Sequence, residues 1–83
     1  MSDAAFFVGL LCVSKHGHDK GEAYIITKVA DDKVVLVANG RNRLLAAPKR
    51  KNIRHLSISK YHAAATSDVE IKRAVDEFQK KGK

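Results

Sequence analysis

Turn-forming residues interrupt the first sixty positions so often that no long helix fits between them. Ser14-Lys-His-Gly-His-Asp-Lys-Gly21, Asp31-Asp32-Lys33, Asn39-Gly40 and Pro48 each end an apolar, β-prone run. Gly, Asn, Asp and Pro punctuate a chain because they favour backbone angles or ring constraints that regular structure does not. Phe6–Ser14 therefore reads as a strand followed by a loop, and Ala23–Val29 with Val34–Ala38 as a hairpin. Asn39-Gly40 suits a two-residue turn with positive φ at both positions, so Arg41–Ala46 is expected as the returning strand. After Pro48, Asn52–Ser59 resumes alternation, with Ile53 and Leu56 or Ile58 available to a core. Five short strands with no helix among them predict a mainly β fold, a small SH3-like barrel over residues 6–60 that closes its own edges.

The C-terminal end has a different period. Past Tyr61–Ser67, the apolar residues Ile71, Ala74, Val75 and Phe78 fall at i, i+3, i+4 and i+7, which is helical spacing. Ser67 with Glu70 has the form of a capping box, and Lys80, Lys81 and Lys83 sit where the helix dipole favours cations. Residues 61–83 are thus expected as a linker and an amphipathic helix, Asp68–Lys80, docked on the barrel; residues 1–5 are expected as a disordered start. With 83 residues, 45% of them hydrophobic and 30% charged, the chain is long enough for one small packed domain. The single Cys12 cannot pair internally and reads as a small core residue. The longest apolar run, Ala4–Val13, is broken by Gly9 and is too short for a membrane span. With no charged-then-apolar leader at the start, a cytoplasmic location is expected.

Charge supplies the functional signal. Residues 1–40 balance at −1 and residues 61–83 at +1, whereas Arg41, Arg43, Lys49, Arg50, Lys51, Arg54 and Lys60 give the window between them +7 with no acid among them. Such a block repels itself unless a polyanion meets it, and nucleic acid is the leading candidate. On a strand, Arg41 and Arg43 would share one face and bridge phosphate oxygens. Lys49, Arg50 and Lys51, expected in an exposed loop after Pro48, offer closely spaced charge, while Arg54 and His55, expected on a strand, point to opposite faces. In the first loop Lys15, His16, His18 and Lys20 surround Gly17 and Gly21, whose backbone would let N–H groups approach a phosphate. Gly17, Gly21 and Gly40 are turn residues first.

Two segments carry a family resemblance. Gly9-x4-Ser14-x2-Gly17-x-Asp19-Lys20-Gly21, followed by the apolar hairpin, resembles the KOW motif. Asn39-Gly-Arg-x-Arg43 followed by Pro48-Lys-Arg-Lys-Asn-Ile-Arg-His-Leu56 is similar to the KOW-domain RNA-binding proteins related to large-subunit ribosomal proteins of the L-fourteen-e group, in particular the short bacterial-type members. Asn39 stands where that pattern leads us to expect Asp. The resemblance spans about residues 7–56 and implies a ribosomal or ribosome-associated protein of translation.

The expected function is non-catalytic RNA binding, with ribosomal RNA as the partner, no cofactor, no metal, no membrane and a free state that is monomeric. The alternative is an SH3-like module that binds a peptide or a partner helix; the aromatics Phe6, Phe7, Tyr24, Tyr61 and Phe78 do not cluster in the sequence as a cage would require. No Walker loop or nucleophile elbow occurs, and His16-x-His18 is the one approach to metal-ligand spacing, so an enzyme is not expected.

Overall fold

The first two strands, Leu10–Ser14 (β1) and Ala23–Val29 (β2), are apolar on both faces, and a strand of that kind must be covered on both. The computed structural model describes residues 7–81, so the start expected at 1–5 lies outside them. Val34–Ala38 (β3), Lys49–Asn52 (β4) and Leu56–His62 (β5) complete a five-stranded antiparallel sheet in the order β4-β3-β2-β1-β5. Leu10, Cys12, Tyr24, Ile26, Val35, Val37 and Leu56 fill one core on its first face. Leu11, Ala23, Ile25 and Ala38 fill a second core against Ile71 and Val75 of the C-terminal helix, Asp68–Lys81 (α1).

Among the described residues, the sheet covers this first face by curling. Register shifts interrupt the β1–β5 ladder between Leu10 and Cys12 and the β2–β3 ladder between Ile26 and Lys28, and such irregularities bend and twist strands. The two edge strands are consecutive in the chain, joined by the single 3-10 turn Ile53–His55. That short connection draws the edges together at one corner, and Phe7, Val29, Ile53 and Ile58 pack in beside the first core. Among the described residues no ladder joins β4 to β5, so the sheet is open and curled, not a closed barrel.

The expected strand Arg41–Ala46 is absent: residues 39–48 form an irregular loop and the returning strand is β4. Asn39 does not take positive φ. Its buried side chain organises the loop instead, Oδ1 accepting from the N–H groups of Arg41 (2.9 Å) and Arg43 (3.1 Å) while Nδ2 donates to Asn42 Oδ1 (2.9 Å). Gly40 has φ +76, and a Cβ there would lie 2.5 Å from the Asp68 carbonyl oxygen and 2.6 Å from the Lys72 nitrogen. The glycine is needed because the loop lies directly on the first turn of α1. Leu45 N–H seals that contact by donating to the Asp68 carboxylate at 2.8 Å.

Three other boundaries move. The first strand begins at Leu10: Phe6 lies outside the described residues, and Gly9, with φ +96 and no room for a Cβ beneath the His62 ring, precedes the ladder. The expected strand Asn52–Ser59 divides into the end of β4, the 3-10 turn and β5, which continues to His62. Tyr61 and His62 are therefore sheet residues, with Tyr61 meeting Phe78 of α1 edge-on at 5.8 Å. The helix runs one residue past Lys80 and docks its stripe as expected, Ile71 and Val75 being fully buried. Ser67 Oγ accepts from Glu70 N–H (3.2 Å), but the Glu70 carboxylate closes on Thr66, taking its N–H at 2.7 Å and its hydroxyl at 3.0 Å. Among the described residues no helix is long and apolar enough to cross a membrane.

Candidate nucleic-acid interface

The basic tripeptide Lys49-Arg50-Lys51, expected in a loop, is the body of β4, and strand alternation divides it. Lys49 lies opposite Val37 and Lys51 opposite Val35, both wholly buried in the first core. Residues directly opposed across a ladder share a face, so both lysines start from the apolar side and Arg50, opposite Leu36, points away. Their methylene stems run over the core edge while the ammonium groups reach out of it. Both end on Asp19, Lys49 Nζ at 3.2 Å from Oδ2 and Lys51 Nζ at 3.0 Å from Oδ1.

Asp19 is the centre of a four-donor cluster. Ser14 Oγ lies 2.9 Å from Oδ1, and the Tyr24 hydroxyl donates to Oδ2 at 2.8 Å. The carboxylate is 12% exposed and the Lys51 side chain 10%. Burial alone would raise the Asp19 pKa, but the bonds from Lys51, Tyr24, Ser14 and Lys49 outweigh it and hold the group well below the usual carboxylate range. Tyr24 is pushed in the other direction, by burial and then by its bond to the carboxylate. Two lysines against one carboxylate leave a single positive charge where the sequence suggested two. Burial likewise pushes the neighbouring Cys12 thiol up to about 12, leaving it an inert core group.

A polar cleft of about 400 Å³ opens beside this cluster. His18 and Glu22 line it from the first loop, Arg41, Asn42 and Arg43 from the 39–48 loop, and Lys49 from β4. Arg41 and Arg43 thus converge on one surface without sharing a strand face. Arg41 also donates to Asp76 of α1 at 3.1 Å, and that carboxylate is held at 3.0 Å by Lys72 as well. Arg43 is exposed, with no ion pair among the described residues.

A second basic group forms where the first loop meets the 3-10 turn. Arg54 and His55, expected on a strand, lie in that turn, which Asn52 caps by accepting from Arg54 N–H at 3.0 Å. The His55 carbonyl accepts from Lys15 N–H at 2.8 Å. The rings of His16 and His55 stack with centroids 4.6 Å apart and planes 14° from parallel. Burial, then the charges of His16, Arg54, Lys51 and Lys15, depress the His55 pKa. His16 thus turns to His55, while His18 lines the cleft.

No protein-family model matches the chain, and no curated protein matches it. The residues must therefore carry the reading themselves. Of the sequence-based candidates, His18, Arg41, Arg43 and Lys49 share the cleft, His16 is one of the stacked rings, and Lys15, Lys51 and Arg54 place positive charge near His55. Lys20 is exposed on the first loop and Arg50 on the outer face of β4. The loop N–H groups of Lys20, Gly21 and Glu22 are not presented to a ligand, being spent on the carbonyls of Gly17, Ser14 and Asp19. Sequence reasoning passed over Asp19, Glu22, Asn42 and the pairing of His16 with His55. Asp19 had a signal: a lone acid between His18 and Lys20, four positions before a β-prone stretch whose buried Tyr24 needs a partner for its hydroxyl.

Proposed function

We propose that this chain is a non-catalytic RNA-binding module that grips structured RNA, with ribosomal RNA as its target, chiefly through phosphates. One observation carries the reading: two basic segments far apart in the sequence, the first loop and the window from Arg41 to Arg54, meet around the cleft and the stacked rings, with Arg50 alone leaving the other face of the edge strand beside them. Phosphate contacts of this kind position an RNA without reading its sequence. The architecture supports the resemblance to KOW proteins, since five antiparallel strands curl until their edges are separated by one 3-10 turn; we assign the chain an SH3-like fold of the KOW type on that ground. A cytoplasmic ribosomal or ribosome-associated role follows from the same reading.

Lys49 and Lys51 are part-neutralised by Asp19, so Lys15, Arg43, Arg50 and Arg54 carry the larger share of the grip. Binding of a structured ribosomal RNA fragment, followed by anisotropy across a salt series, is expected to give a log–log slope of roughly −3 to −5, as four to six phosphate contacts would. Changing those four residues together to Gln is expected to flatten the slope and weaken binding to unrelated RNA sequences alike. A four-site variant with wild-type affinity and slope would overturn the reading.

A further inference from the structure

The sequence has too few aromatics near its basic window for a stacking platform, yet folding builds one from histidines. His16 and His55 are 39 positions apart and stack nearly parallel at 4.6 Å. We infer that this imidazole pair is a platform for one unpaired RNA base, which lies on the open side of His16 while its flanking phosphates meet Lys15 and Arg54. The inference rests on the RNA-binding reading above and names what that surface takes beyond backbone.

Three features favour this occupant. His16 is exposed and His55 half-buried, so the stack has an inner and an outer member, and the outer ring is the one a base can reach. Both rings sit on backbone that is already fixed: the His16 carbonyl accepts from Ser14 Oγ at 3.0 Å and from Lys51 Nζ at 3.4 Å, and the His55 carbonyl accepts from Lys15 N–H. Little ordering is therefore left to accomplish on binding. Finally, Lys15 precedes His16 and Arg54 precedes His55 in the chain, Lys51 Nζ reaches the His16 carbonyl at 3.4 Å, and all three add positive charge near His55; of the three, Asp19 engages Lys51 alone. A positively framed aromatic surface suits a base carrying phosphates, and bases splayed from bulges and loops are the ones proteins stack on His and other aromatic rings.

The test uses the full chain and an RNA stem carrying one bulged 2-aminopurine, with a fully paired stem as reference. Wild-type protein is expected to quench the fluorophore and to prefer the bulged stem by about tenfold. His16→Ala should lose both the quench and the preference while keeping the salt slope, and His16→Phe should keep all three because it retains a ring. Wild-type binding to both stems alike, with a normal salt slope and no quench, would overturn the platform and leave the phosphate reading standing. Quenching that survives in His16→Ala, or is lost equally in His16→Phe, would also overturn it. Binding to neither stem at any salt would remove the platform and the RNA-binding reading together.

Discussion

Lys49 and Lys51 share with Arg50, which lies between them, the sign of their charge and little else. The lysines leave the sheet on its core face and end on the half-buried Asp19 carboxylate, whereas Arg50 leaves on the opposite face and is exposed. In sequence the three form one basic cluster. In the fold, two hold the first loop against β4 and one is free to meet a ligand. Formal charge along a chain therefore overstates the charge presented to a partner whenever alternation sends part of it inward.

The contrast presumes that backbone packing, not charge, fixes the 39–48 loop beside β4. Gly40→Val is expected to cost about 3 kcal/mol or more, because it adds left-handed strain to a clash with the backbone of α1. A thermal melt unchanged by this substitution would show that the loop is not held by the helix.

Within the contrast itself, the largest difference should appear at Asp19. Asp19→Asn is expected to destabilise the domain by about 2 kcal/mol, since charge-assisted bonds to two lysines and a buried tyrosine are weakened at once. Arg50→Gln should change stability by less than about 0.5 kcal/mol. Equal denaturation midpoints for the two variants would place Lys49 and Lys51 with the free cations. The pH dependence follows in sign. The folded pKa of Asp19 is depressed, so its contribution is fully present above the ordinary carboxylate value of about 4 and is lost as pH falls below it. The stability gap between wild type and Asp19→Asn should thus stay constant from neutrality to about pH 4 and narrow beneath it.

RNA binding should rank the same residues in the reverse order. Replacing Arg43, Arg50 and Arg54 with Gln is expected to reduce the salt slope by about 2 to 3 units, at roughly 0.7–0.9 per phosphate. The Lys49→Gln, Lys51→Gln pair should reduce it by only about one unit in total, since Asp19 already offsets part of their charge. If the lysine pair flattens the slope as much as the arginines do, the carboxylate releases them to the RNA and the division is not static. The smallest effect is expected on α1. Changing Lys72, Arg73 and Lys80 to Gln should leave the slope within about half a unit of wild type, as they lie among Asp68, Glu70, Asp76 and Glu77.

Where the chain's own period decided the structure, the sequence was readable. Strands β2 and β3, the turn at Asp31 and the apolar stripe of α1 are local patterns, and they stand where the residues place them. The region from Asn39 to Ala47 was misread for a physical reason. Asn-Gly fits a two-residue hairpin, and Leu44-Leu45-Ala46-Ala47 extends it plausibly as a strand, but Asn39 spends its side chain on its own loop and Gly40 answers to a helix that begins 28 residues later. Leu45 joins the helix-side core and Leu44 stays exposed, which no strand period describes. The candidate surface divides similarly. Its cations were visible as composition, whereas the Asp19 cluster and the His16–His55 stack exist only through contacts between distant segments.

Among the described residues β4 is also the outermost strand of an open sheet, with one row of backbone hydrogen-bonding groups not used by any neighbouring strand. Such a border is a template on which another extended chain can add itself. Here the border carries Arg50 and the single charge left over from Lys49, Lys51 and Asp19, so a second copy approaching edge to edge meets like charge before it can form its first backbone bond. The residues proposed to meet a polyanion would thereby guard the domain against its own kind, and screening by salt should weaken that protection.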